Sequence, residues 1–113
     1  MTFAFLFMLS ATFAQTTNDT FIEKDGKVEA TYYYDNGVVK QHGFFNKDGK
    51  LEGTWTSYDI NGKKTAVGNY ENGKKVGKWF FWSSDQTLAE VDYKGQKVDN
   101  VNVWKKSSVA SRE

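Results

Sequence analysis

Asp25-Gly26-Lys27-Val28-Glu29-Ala30-Thr31-Tyr32 returns within the chain as Asp48-Gly49-Lys50-Leu51-Glu52-Gly53-Thr54-Trp55 and, more loosely, as Asn72-Gly73-Lys74-Lys75-Val76-Gly77-Lys78-Trp79. Each copy opens on an Asp-Gly or Asn-Gly pair, which supplies the positive φ angles of a tight hairpin turn. Each then runs into a strand-length stretch rich in β-branched and aromatic residues. A segment that recurs at such a spacing points to one supersecondary unit stacked on copies of itself, none of which can bury its apolar surface alone.

Outward from this segment, turn signals recur at Asp35-Asn36-Gly37, Asn46-Lys47-Asp48-Gly49, Asn61-Gly62, Asn72-Gly73 and Lys94-Gly95, and the chain contains no proline. The stretches between them predict strands over Lys27–Tyr34, Val38–Phe45, Lys50–Tyr58, Lys63–Tyr70, Lys74–Trp82, Leu88–Lys94 and Val98–Trp104. The expected fold is all-β: an elongated single-sheet antiparallel β-meander built from tandem β-hairpins of about 24 residues. Trp55 and Trp79 stand 24 residues apart, as do Gly53 and Gly77, and Tyr58 and Trp82. The units divide as 21–42, 43–67, 68–91 and a partial 92–104, within a repeat domain spanning 21–104.

Residues 1–14 carry no charged side chain and contain the apolar run Phe3-Ala4-Phe5-Leu6-Phe7-Met8-Leu9 before Thr12-Phe13-Ala14. This is the pattern of a signal-peptide core and a small-residue cleavage site, and it is shorter than the roughly 20 apolar residues of a helical span. The expectation is export to the periplasm or the medium, with a short linker over 15–20, a polar tail over 105–113 and no membrane association after cleavage. The absence of cysteine excludes disulfides, thiolate metal sites and catalytic thiols. A net charge of +1 lacks the basic excess of a phosphate-backbone binder, so nucleic acid is not an expected partner.

Residues two apart lie on one face of a strand. In Gly53-x-Trp55 and Gly77-x-Trp79 the glycine is expected to leave room on the face that bears the indole, with Ala30 and Tyr32 as the equivalent pair in the first unit. These positions read as packing. A second ladder, Tyr34, Tyr58 and Trp82, follows the first, with Tyr58 and Trp82 three residues after Trp55 and Trp79, an odd offset that is expected to put it on the opposite face. Fifteen aromatic residues follow Ala14, more than one side of a small sheet can hide, which makes this second ladder the candidate binding surface for an extended partner such as a glycan.

Catalysis finds little support. His42 is the single histidine and reads as a surface or edge residue without a second member for a triad or metal site. Asp25 and Asp48, and Glu29 and Glu52, fall at equivalent places in successive copies, which argues for turn and strand-edge roles over a catalytic pair. The loops hold too few acids for calcium, and no phosphate-binding loop is present, so no cofactor or metal is expected. The lysine doublets Lys63-Lys64, Lys74-Lys75 and Lys105-Lys106 are expected to blunt exposed strand edges.

The pattern Tyr58-x-x-x-Gly62-Lys63-x-x-x-x-Gly68-x-Tyr70-x-x-Gly73-Lys74-x-x-Gly77-x-Trp79-x-x-Trp82 resembles the MORN-variant repeat of YwqK-type proteins, a family often labelled as toxin–antitoxin antitoxins. The resemblance covers roughly 26–97, and its first and last units depart from the pattern as capping units would. It implies a row of antiparallel hairpins that binds proteins or polymers and performs no reaction. Glucan- and choline-binding repeats look similar around Gly77-Lys78-Trp79-Phe80-Phe81-Trp82 but have a shorter period. The expected function is a non-enzymatic, exported scaffold for protein–protein interaction at the cell envelope, with an antitoxin or immunity role in view. The alternative is a carbohydrate-binding module.

Overall fold

The structure, a computed structural model, describes residues 18–85 and 87–105. The expected signal peptide, 15–17 of the expected linker and 106–113 of the expected tail lie outside the described residues. Within them the chain is all-β, with eight strands: β1 (Thr20–Lys24), β2 (Lys27–Tyr33), β3 (Val39–Phe45), β4 (Leu51–Tyr58), β5 (Lys64–Glu71), β6 (Lys74–Trp82), β7 (Leu88–Lys94) and β8 (Lys97–Trp104). They form one open antiparallel sheet in the order β1-β2-β3-β4-β5-β6-β7-β8, so every neighbour in sequence is a neighbour in space. The meander expected from the turn spacing is therefore present. Strand β1 was not among the expected strands, because its five residues follow no turn signal.

Two kinds of turn join the strands. At Asp25-Gly26, Asn72-Gly73 and Gly95-Gln96 both central residues have positive φ, the signature of the two-residue type I′ hairpin. The turns at 34–38, 46–50 and 59–63 are longer and share one bonding scheme. In the middle one Asn46 N donates to Lys50 O, and Gly49 N donates to Asn46 O. The two copies of Asp-Gly-Lys thus fold differently. Asp25 takes φ +53° in a two-residue turn, whereas the Asp48 amide is bonded to Asn46 Oδ1 at 2.9 Å.

The indoles are held by a correction to the expected packing. A Cβ on Gly53 or Gly77 would meet nothing within 4 Å, and both residues have positive φ, +74° and +69°. Their role is conformational: on β4 the three residues 53–55 face the single Gly43 of β3, and on β6 the three residues 77–79 face the single Gly68 of β5. Such a bulge bends its strand and re-aims the side chain that follows. Trp55 swings back over Gly43, and Trp79 over Gly68, where an added Cβ would fall 1.9 Å from the ring in each case. The indole Nε1 donates to the next carbonyl, Phe44 O at 3.0 Å for Trp55 and Asn69 O at 3.1 Å for Trp79.

The first unit follows another plan. Ala30 lies opposite Gly43 as Trp55 lies opposite Gly68, so Ala30 and Tyr32 do not occupy the places of Gly53 and Trp55. Tyr32 is buried instead against Phe21 of β1, with ring centroids 5.6 Å apart. Edge-to-face contacts then run along this face through Phe45, Trp55, Tyr70, Trp79 and Tyr93, at centroid separations of 5.1 to 6.4 Å. Burial pushes the Tyr32 hydroxyl up to about 12 and raises that of Tyr70.

A flat sheet with side chains on both faces is only about 10 Å deep per layer. The extents here are 49 × 35 × 24 Å, and the excess depth is the right-handed twist and coiling that the bulges accentuate. Coiling brings the rings of the indole face together, which is how a single layer hides Ala30, Tyr32, Trp55 and Trp79.

Candidate functional site

On the face opposite the buried indoles, one end of the sheet gathers aromatic residues from alternate strands. Tyr58 pairs with Lys64 across β4 and β5, and Trp82 pairs with Leu88 across β6 and β7. Leu88 in turn pairs with Trp104 of β8. Trp82 and Trp104 thus lie two strands apart with Leu88 between them, and Trp82 also stacks on Phe80 at 6.3 Å.

Of the three expected ladder residues, this geometry unites two. Tyr58 and Trp82 hold corresponding places at the ends of β4 and β6, both half-buried. Tyr34 does not join them, because the residue matching Tyr58 in register is Tyr33, opposite Val39 next to a bulge. Tyr34 belongs to the β2–β3 turn, and its hydroxyl donates to Tyr58 O at 2.8 Å. Asn36 Nδ2 adds a bond of 3.3 Å to Ile60 O, so the two turns brace each other across β3. Tyr34 therefore has a structural role that the sequence did not reveal.

A groove of about 940 Å³ opens at this end. Trp82, Leu88 and Trp104 supply its apolar lining, while Lys63, Lys64 and Lys105 border it. Asp59 also reaches the groove, but its Oδ1 accepts the amides of Asn61 at 2.9 Å and Lys63 at 3.0 Å, which commits that oxygen to the turn. Across the β6–β7 turn, hydrogen bonds from Ser83 and Thr87 hold the Asp85 carboxyl down at about 2. Two of the three lysine doublets do not lie at sheet edges: β1 and β8 are the edges, Lys63-Lys64 lies at the groove, and Lys75 sits 5.3 Å from the Trp79 ring centroid and 5.2 Å from that of Tyr93; Lys105 of the third follows β8, and Lys106 lies outside the described residues.

His42 lies in the interior strand β3, not at an edge, and its Nε2 is 2.8 Å from Glu29 Oε2. That bond holds the Glu29 carboxyl below its ordinary value. Glu52, expected to share its environment, instead accepts from the Asn72 amide at 2.9 Å and from Asn46 Nδ2 at 3.3 Å. Lys78 bridges Glu90 at 2.9 Å and Asp92 at 3.1 Å on the neighbouring strand, and these bonds raise its pKa. Among the described residues no three His, Cys, Asp or Glu side chains group as metal ligands would, and no helix is long and apolar enough to cross a membrane.

The second feature of this end is β8 itself. Its residues are exposed along their whole length, and Val98, Val101, Val103 and Trp104 are each about half open to solvent. Neither Trp104 nor the valines stood out in the sequence reading. The available signals were the alternation Val101-Asn102-Val103-Trp104 and an aromatic residue 22 positions after Trp82. In the three comparisons with known proteins, no family model, no curated protein and no solved structure matches the chain.

Proposed function

We propose that the chain is a non-enzymatic, exported scaffold that takes up an extended segment of another protein along the outer edge of β8. The observation that carries this reading is the state of that strand. Among the described residues it has a neighbour on one side only, and it presents Val98, Val101 and Val103 on the same face as the aromatic row, half open to solvent. An edge strand leaves alternate backbone N–H and C=O groups unpaired, and natural sheets guard such edges with lysine, proline or short length. Strand β8 has eight residues, no proline, and its one lysine at the first position. An added strand would satisfy the backbone and cover the valines, with main-chain bonds giving affinity and side-chain pockets giving selectivity.

The resemblance to MORN-variant repeats supports a binding rather than a chemical role. The paired states of His42 with Glu29 and of Lys78 with Glu90 and Asp92 tie ionisable groups to neighbouring strands. On this reading the partner is met in the envelope, and immunity against a toxin acting there is the most specific form of the role.

Panning a displayed library of extended peptides against the chain tests the proposal. Selected peptides are expected to bind the parent chain and to lose at least about tenfold in affinity, or 1.4 kcal/mol, against the Val101→Lys, Val103→Lys double variant. Peptides that bind both chains equally would place the contact elsewhere and overturn the proposal.

A further inference from the structure

We propose that the groove bounded by Trp82, Leu88 and Trp104 is a subsite for an acidic oligosaccharide, a ligand distinct from the polypeptide assigned to the β8 edge. Three observations converge on that chemistry. The floor carries two indoles on alternate strands, separated by roughly 10 Å from the spacing of strands. That span suits alternate rings of a linked pyranose chain better than one flat aromatic ligand, whose stacking would need adjacent indoles. The C–H faces of a pyranose pack on indoles, and its hydroxyls reach outward to polar groups.

The rim supplies such groups: Asn61 and Ser84 border the same groove and are exposed. A volume of about 940 Å³ is large enough for several sugar rings. The third observation is charge. Among the described residues that line the groove, Lys63 and Lys64 stand against the carboxylate of Asp59, and one oxygen of that carboxylate is already held by two backbone amides. A cation excess beside an aromatic floor selects a sugar that carries carboxylates over a neutral one.

The site is also held in place. Trp82 is stacked on Phe80, and the turn that brings Lys63 and Asn61 forward is braced by Tyr34 Oη and Asn36 Nδ2 from the β2–β3 turn. The expected ladder of Tyr34, Tyr58 and Trp82 is thereby replaced by a shorter one, Trp82 and Trp104, in which Tyr34 acts as a brace.

Titration of the chain with oligogalacturonate, neutral cello-oligosaccharide and oligoglutamate, followed by the indole N–H resonances of the four tryptophans, tests the assignment. Saturable shifts at Trp82 and Trp104 with oligogalacturonate are expected, leaving Trp55 and Trp79 in place. The affinity should be at least about tenfold above that for the neutral sugar and should fall with added salt. Trp104→Ala and the Lys63→Ala, Lys64→Ala double variant should each weaken binding about tenfold or more. The second of these leaves the aromatic floor intact, so a folding defect in the first does not decide the matter. Equal binding of neutral and acidic sugars, binding of oligoglutamate as tight as that of oligogalacturonate, or no shift at Trp82 and Trp104 would each overturn the assignment.

Discussion

A methyl group at Gly43 would lie 1.9 Å from the ring of Trp55, whereas one at Gly53 would lie in open space. The two glycines are required for unrelated reasons, steric at Gly43 and conformational at Gly53, where φ is +74°. Gly43→Ala is expected to destabilise the fold by about 3 kcal/mol, the upper part of the usual cost of overpacking. Gly53→Ala should cost about 1–2 kcal/mol, the penalty for a Cβ in the left-handed region. Urea denaturation followed by tryptophan fluorescence measures both, and equal losses would contradict the division of roles. A sequence shows which glycine is two residues from a tryptophan. It does not show which glycine the indole covers, because that one lies across the strand pair and is reached through a bulge. The buried Tyr32 makes a second test at this scale. Its hydroxyl stays protonated in the folded state up to about pH 12, while in the unfolded chain it ionises near the ordinary value of about 10. The unfolded state therefore binds fewer protons between those values, and stability falls as pH rises through them. Tyr32→Phe is expected to flatten the alkaline limb of a melting-temperature profile, and an unchanged slope would contradict the burial of the hydroxyl.

The strands themselves were largely legible. Glycine-marked turns separate runs of β-branched and aromatic residues, and β6 and β7 begin and end where the pattern sets them. The kind of turn was less so, because Asp25-Gly26-Lys27 and Asp48-Gly49-Lys50 are the same three residues in different geometries. The difference comes from Asn46. Its Oδ1 accepts the amides of Asp48 at 2.9 Å and Lys50 at 3.0 Å, and its Nδ2 reaches Asn72 Oδ1 at 3.0 Å. Together with Glu52, which holds the Asn72 amide, it fastens the β3–β4 turn to the β5–β6 hairpin. Asn46→Ala is expected to lower stability by about 2 kcal/mol, since several hydrogen bonds of roughly 1 kcal/mol each are lost at a half-exposed site. Thermal melts of Asn46→Ala and Asn36→Ala test this ordering. The loss should be larger for Asn46, because Asn36 makes one bond to the next turn and one within its own.

At the scale of the molecule, the eight strands of the described residues run in sequence order and leave two edges and no second layer among them. The aromatic row accounts for cohesion along the sheet, each ring resting on the next strand's neighbour. The three-residue step from Trp79 to Trp82 places Trp82 on the face opposite the buried row, as its stacking on Phe80 shows, whereas Trp104 carried no such signal. The two edges also differ. Strand β1 has five residues and puts Glu23 and Lys24 at its end, whereas β8 is longer and alternates valine with asparagine over 100–103. Function on this account lies at the longer edge. The most direct measurement is residue-resolved amide hydrogen exchange of the chain, free and with a β8-selected peptide bound. The account predicts that the peptide slows exchange along β8, at Val101 and Val103 and their neighbours, with little change in β1 through β5. Protection that falls on β1 or on the groove-lining turns, with β8 amides unchanged, would contradict it.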